Sequence, residues 1–340
     1  MTTTTRPTLE DVARLAGVSL GSASRALSVP DQVKSSTLER VTRAVKELGY
    51  VRHGPARALA SRKTRSVAAI YPTLDNPIFA VSIQSLQQTL WSLGYQLFVA
   101  SHEYRPEREL DLLRSFVERG VDAVVLVGTD HDDAVFELLE QYMIPYVLTW
   151  SLDEANSRPC VGFSYYDATF EMARLVLEYG HTQIAICPGL SYRNERVRAR
   201  IAATQDALQA AGLKLRPEWI IEQPFTFEGG RQAVIQLLSH PDRPSVLICG
   251  TDLQAVGAMA ECREQGISVP DDLSITGSDD IELAHLVQPK LTTVHVPTNE
   301  IGIRAAHRIV SLIEGNSVSD ELPLLSGVVL RDSLKKIEKQ

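Results

Sequence analysis

The sequence predicts an all-α helix-turn-helix head followed by an α/β body of two parallel-sheet lobes. Three observations carry that prediction. First, charge is divided unevenly: the 340 residues sum to −8, yet residues 1–65 hold twelve Lys/Arg against five Asp/Glu and the remaining 275 hold 22 against 37. A head of +7 therefore precedes a body of −15, an asymmetry that points to nucleic acid or membrane at the basic end. Second, apolar residues of the head recur at helical spacing. Third, beyond Ser66 short continuous apolar runs alternate with helix-patterned stretches, the mark of βαβ units.

Composition narrows the classes further. Hydrophobic content of 44% with 22% charged residues suits a globular protein and argues against disorder. No run of about 18 apolar residues occurs, so no transmembrane span is expected, and the start MTTTTRPTLEDVARL carries no apolar secretory segment. Cys160, Cys187, Cys249 and Cys262 are far apart with no C-x-x-C pair, which suits reduced thiols in a cytoplasmic protein better than zinc or disulfides.

In the head, Leu9, Val12, Ala13 and Ala16 share one helical face, with Thr8 and Asp11 placed to cap its start and Gly17 to end it. Ser19 is a second N-cap, opening a helix with Ala23, Ala26 and Leu27 on one face. Two short helices joined by a tight glycine-containing turn make a helix-turn-helix, whose second helix enters a major groove. A third helix is expected from Ser36, with Ser36 and Glu39 as capping box, a stripe of Leu38, Val41, Val45 and Leu48, and Gly49 at its end. Gly17-Val18-Ser19-Leu20-Gly21 also matches the G-x-S-x-G nucleophile elbow, but that motif needs a preceding strand, and the residues before Ser19 are helix-patterned.

Pro55–Ser61 reads PARALAS, then Arg62, Lys63 and Arg65. Proline at a first helical position favours helix, although seven residues are too few for an isolated one. In the minor groove of bent DNA, Leu59 is the large apolar side chain available as a wedge.

The body's apolar runs are 67–71, 96–100, 123–127 and 146–149, then 184–187, 246–249 and 274–276, with helices expected near 80–93, 108–118, 199–211 and 229–238. Two parallel-sheet lobes also suit an enzyme acting on a small polar metabolite. A dehydrogenase, however, requires a glycine-rich turn after the first strand, where Pro72-Thr73-Leu74-Asp75-Asn76 stands instead. No G-x-x-x-x-G-K or H-x-x-x-H occurs, and His102 and His131 are isolated. No catalytic residue, cofactor or metal site is therefore assigned. Two lobes of the periplasmic-binding type bind a small molecule at the strand C-termini. Phe79, Trp150, Arg200, Thr251 and Asp279 all lie just beyond such runs. An aromatic slot with one arginine and one acid fits a polyhydroxylated or mixed-charge ligand.

These residues sit within a longer resemblance. T-L-E-D-V-A-R-L-A-G-V-S-L-G-S-A-S-R-A-L from Thr8, S-T-L-E-R-V-x-R-A-V-K-E-L-G-Y ending at Tyr50, and A-R-A-L from Ala56 resemble the head of the LacI/GalR family of transcriptional regulators. The likeness continues to about Arg331. It implies a recognition helix from Ser19 to Ala26 with Leu20, Gly21 and Arg25 toward base edges, Ser19 and Ser22 among the DNA contacts, and a hinge helix at Pro55–Ser61 with Arg57 on phosphate and Leu59 as wedge. In the body, N-P-I-F79 is similar to the family's N-P-F-F loop. R200-I-A-A-T is similar to its effector-binding R-x-x-G-F/Y segment, and G-S-D279-D280 to its G-F/Y-D-D turn. Phe225 and Trp150 fall where family pockets carry aromatics. Thr251, Ser278 and Ser164-Tyr165 depart from the usual Asn, aromatic and Asp-Asn.

The family's division implies a DNA-binding domain at 1–53, a hinge at 54–65, a body at 66–331 and a tail at 332–340. Three crossings near Phe163, Val296 and Pro323 would split the body into an N-lobe (66–163, 297–322) and a C-lobe (164–296, 323–331). The expected protein is a repressor that binds a palindromic operator as a homodimer, with tetramers also compatible, and answers to a sugar or sugar acid. No membrane partner is expected. A sugar-transport protein is disfavoured by the basic head.

Overall fold

The computed structural model describes residues 6–51, 63–153, 157–316 and 322–337. The chain divides into two compact units, Met1–Thr64 and Arg65–Gln340.

The first unit contains α1 (Leu9–Ala16), α2 (Leu20–Ser28) and α3 (Ser35–Leu48). Thr8 accepts from the Asp11 N–H while the Asp11 carboxylate accepts from Thr8, a reciprocal capping box worth about 1 kcal/mol. Gly17 then takes a left-handed φ of 60°, a conformation costly to residues with a Cβ, and turns the chain into α2. The core is small: Val12, Ala13, Ala16, Ala23, Ala26, Val41 and Ala44 are buried. Alanines at the contacts let the helices approach closely. One expectation is corrected. The third helix starts at Ser35 with Lys34 as N-cap and no side-chain cap bond, so Ser36 lies inside the first turn and forms no capping box; its carbonyl instead accepts from Arg40 Nε.

The second unit begins with a five-stranded parallel sheet in the order β2-β1-β3-β4-β5. Its strands are β1 (Ser66–Tyr71), β2 (Gln96–Ser101), β3 (Ala123–Val127), β4 (Tyr146–Thr149) and β5 (Cys160–Val161). Helices α4 (Pro77–Ser92), α5 (Glu109–Glu118) and α6 (Asp133–Gln141) connect them. Every residue of β1 and β3 is buried, as continuous apolar strands covered on both faces must be. Along β1 the alternation assigns Val67, Ala69 and Tyr71 to one core and Ala68 and Ile70 to another.

After β5 the chain enters α7 (Tyr165–Glu178) and a three-stranded parallel sheet β6-β7-β8 (Ile184–Cys187, Val246–Cys249, Ser274–Thr276). Its helices are α8 (Glu195–Ala210), α9 (Phe227–Leu238) and α10 (Asp252–Glu264). The short α11 (Leu283–Leu286) precedes β9 (Thr293–His295), and α12 (Thr298–Ile313) then packs on α4, where the Ser85 hydroxyl donates to Asn299 at 2.7 Å. Finally β10 (Gly327–Val329) pairs antiparallel with β9. The chain thus leaves the first sheet after β5, builds the second, and returns to pack α12 on strands and a helix of the first. No helix among the described residues is long and apolar enough to cross a membrane.

Candidate functional site

Two sites arise, one in each unit. In the head, Ser19 caps α2 by accepting from the Ser22 N–H at 3.2 Å, and its hydroxyl meets the Ser22 hydroxyl at 2.9 Å. Ser19 opens a helix rather than following a strand, so the nucleophile-elbow pattern has no structural basis here. With Ala23 and Ala26 turned into the core, the opposite face presents Leu20, Gly21 and Arg25, all exposed. Arg25 Nε donates to the Gly21 carbonyl at 3.4 Å, laying the side chain along the helix beside the residue without a Cβ. Arg57 and Leu59 lie outside the described residues.

In the body, the predicted residues lie beyond strand ends of both sheets. Strand ends of the first sheet carry an aromatic cluster, buried in the core and outside the lining of the two cavities described below. Tyr71 ends β1, Phe79 sits in the first turn of α4 where Asn76 caps, and Trp150 follows β4. Phe79 contacts Trp150 at 4.8 Å between ring centroids and Tyr71 at 5.6 Å, both edge-on. Such an arrangement also suits a plain core. Trp150 departs from that reading in two ways: its backbone has φ 72°, and its buried indole N–H has no hydrogen-bond partner. Buried donors are normally satisfied.

The facing wall is charged. Arg200, one turn into α8, is only 7% exposed, its guanidinium 4.4 Å from the Tyr165 ring centre and 5.7 Å from that of Phe225. Phe225 also meets Tyr104 at 5.6 Å, joining the lobes by an aromatic contact. Asp279, beyond β8, is 3% exposed with φ 127°, and neither carboxylate oxygen has a hydrogen-bond partner. Burial, with the neighbouring Asp252 charge, pushes its carboxyl well above the usual range, and Arg200 offsets only part of that. Strained backbone at Trp150 and Asp279 coincides with unsatisfied polar atoms, a combination that clusters at functional sites.

Thr251 is placed differently from its neighbours. Its hydroxyl caps α10 by accepting from the Gln254 N–H at 3.3 Å, so its evident work is local. Asp252 beside it accepts from Thr293 and from the Ile281 N–H at 2.9 Å, ordering the turn that carries Asp279; burial raises its carboxyl to about 6.

Sequence reasoning missed Glu195 and Arg196. Glu195 Oε1 accepts from the Thr129 N–H at 3.0 Å, the Ser151 hydroxyl at 2.6 Å and Arg196 Nη1 at 3.2 Å, tying α8 to two strand ends of the other lobe. Burial alone would raise this carboxyl, but Arg196 and these hydrogen bonds outweigh it and hold it below its ordinary value. Gly128 makes the approach possible: a Cβ there would stand 2.2 Å from an Arg196 guanidinium nitrogen. Outside this contact, Arg198 meets Asp130 at 2.6 Å and Arg193 meets Asp132 at 3.3 Å. The loop bearing Asp130 is anchored by His131, whose ring nitrogens face the Glu109 carboxylate at 2.8 Å and the Gly128 carbonyl at 3.0 Å. Burial opposes a charge there, but two acceptors favour the doubly protonated ring and raise its pKa. The only sequence signal for Arg196 was its i, i+4 spacing from Arg200.

A cavity of about 580 Å³ lies along Thr129, Ser151, Phe163, Tyr165, Glu195 and Arg196, and a second of about 780 Å³ includes Asn76, Tyr104 and Phe225. Both lie in the range of small-molecule sites. No group of three or more potential metal ligands occurs among the described residues.

A helix-turn-helix head joined to a two-lobed ligand-binding body defines a ligand-responsive DNA-binding regulator. Comparison with known proteins agrees. The bacterial regulatory proteins of the lacI family match residues 8–53, and the periplasmic binding protein-like domain matches residues 173–334. The HTH-type transcriptional repressor PurR of Erwinia tasmaniensis is 31% identical over 90% of each chain. Among solved structures, a LacI-family transcriptional regulator from Silicibacter pomeroyi is 28% identical with a TM-score of 0.84, over 97% of this chain and 99% of that one. A transcriptional regulator CelR–cellobiose complex is 29% identical with a TM-score of 0.71, over 96% and 100%. The chain belongs to the LacI family of bacterial regulatory proteins. It is a DNA-binding transcriptional regulator.

Proposed function

We propose that the protein is a cytoplasmic repressor that reads a two-fold symmetric operator as a homodimer and changes its DNA affinity when a sugar or sugar acid binds between the lobes. On this reading residues 1–53 read DNA, 54–65 form the hinge, and 66–331 bind effector and dimerise. One observation carries the effector half: the buried Asp279 carboxylate oxygens meet no hydrogen-bonding side chain among the described residues, and the buried Arg200 beside it rests on the Tyr165 and Phe225 rings. A buried charge without a partner is costly, and a hydroxylated ligand would satisfy both. The cellobiose bound to the CelR relative is a sugar of that kind.

For the DNA half, Arg25 is the exposed fork on α2 that matches guanine O6 and N7, a contact worth about 1–3 kcal/mol of discrimination. Leu20, 46% exposed, offers apolar contact to a thymine methyl, and Gly21 adds no side chain to that face. The +7 head supplies phosphate affinity and salt sensitivity. A dimer adds the free energies of two short half-sites, and the ligand acts through its differential affinity for two states.

A selection from random duplexes tests this: the full chain enriches symmetric sites, Arg25→Ala loses preference at one G·C pair per half-site, and Arg57→Ala weakens all duplexes alike. Unchanged base preference in Arg25→Ala would refute its assignment. The enzyme alternative predicts turnover by Ser66–Gln340 and no enriched site.

A further inference from the structure

Arg196 and Arg200 stand one helical turn apart on α8, and both side chains are largely buried. The first is 11% exposed at its side chain and lines the cavity of about 580 Å³; the second lies over Tyr165, which lines the same cavity. Apart from the bond from Arg196 Nη1 to Glu195, no described residue accepts a hydrogen bond from either guanidinium. Glu195 balances one of the two charges, and its Oε1 is already shared with Thr129 and Ser151. Asp279 is the other acid near Arg200. No side chain donates to its oxygens, and burial beside Asp252 favours its neutral form. Two buried guanidinium groups thus stand one turn apart beside tyrosine and phenylalanine rings, with one carboxylate, that of Glu195, hydrogen-bonded to them among the described residues. An arginine fork binds carboxylate or phosphate in bidentate fashion, and an anion would remove the imbalance that a neutral ligand leaves.

We propose that the effector is an anion, a small hydroxylated molecule whose carboxylate or phosphate is held jointly by Arg196 and Arg200. This rests on the interlobe effector reading. Arg196 sets the charge preference together with Arg200, and Asp279 holds hydroxyls of the remainder of the ligand. Gly128 is required because it clears the space for the Arg196 guanidinium.

The test is a calorimetric and thermal-shift panel on the full chain: aldoses, their aldonates and uronates, and their phosphates. The proposal expects an anion to bind at least tenfold more tightly than its neutral parent. Whether an acid or a phosphate shows the larger ratio identifies the source of the charge. Arg196→Gln should reduce that ratio at least tenfold, and Arg196→Lys should keep much of it, which guards against a variant that merely misfolds. Neutral sugars binding as well as their anions, or an unchanged ratio in Arg196→Gln, would overturn the proposal while leaving the effector reading intact. No binding by any member would overturn both.

Discussion

The two walls of the cleft are built from opposite materials. The wall from the first sheet is aromatic, with Tyr71, Phe79 and Trp150 packed edge to face and buried at the base of the core. The facing wall carries Glu195, Arg196, Arg200 and Asp279. Ring contacts need no ligand to be satisfied, because apolar surface is covered as soon as the lobe folds. Charges do need one. On the proposed effector reading, the difference assigns the shape of a ligand to the first wall and its chemistry to the second.

The largest effect that would break this contrast belongs to Arg200. A ligand present at 100 times its dissociation constant stabilises by about 2.7 kcal/mol, and Arg200→Ala should abolish that shift in thermal unfolding. A full shift in the variant would move the chemistry to the aromatic wall.

Trp150→Phe should act more weakly. It retains a ring and removes only the unpartnered indole N–H, so ligand affinity should fall by about 0.5–1.5 kcal/mol, the net worth of one hydrogen bond. The free protein should lose no stability through that lost donor. A loss of affinity as large as that in Arg200→Ala would contradict the division of labour.

Asp279 sharpens the comparison through pH. Its folded-state pKa is raised by burial, so the native form keeps a proton that the unfolded chain has released. Stability contributed by this group is full below the unfolded value near 4 and is lost as pH rises toward the folded value. Asp279→Asn should remove that decline from the pH dependence of unfolding in the absence of ligand. Equal slopes in both proteins would show that the carboxyl is ionised and paired.

The smallest effect is expected at the rim. Arg198 and Asp130 form a partly exposed ion pair, and such pairs contribute about 0–1 kcal/mol. Asp130→Asn should change melting and ligand affinity only marginally, because Glu195 holds the lobes from within.

Much of the fold was legible in the sequence. The runs at 123–127, 146–149, 184–187, 246–249 and 274–276 are strands with those bounds, since strands buried on both faces are mostly apolar, with Thr149, Ser274 and Thr276 the buried polar members. Caps at Thr8 and Ser19 and the turn at Gly17 were equally readable, because each rests on local chemistry. Ser36 misled because serine and glutamate at capping spacing also occur inside a first turn, and Lys34 starts the helix one residue early. The charged wall was only half legible. Arg196, Arg198 and Arg200 alternate in one segment, and only the phase of α8 sends the first and last inward while Arg198 stays half exposed. Tyr104 and Tyr165 gave no local signal, because their roles arise from contacts between the Tyr104–Phe225 and Tyr165–Arg200 partners, far apart in sequence.

The most direct test of the account measures affinity for a selected DNA site with and without a ligand drawn from the thermal-shift panel, in the wild-type chain and in Arg200→Ala. The account predicts at least a tenfold change in DNA affinity for the wild type and none for the variant, with both proteins equal in the absence of ligand. An equal ligand response in the two proteins, or no response in the wild type, would contradict it.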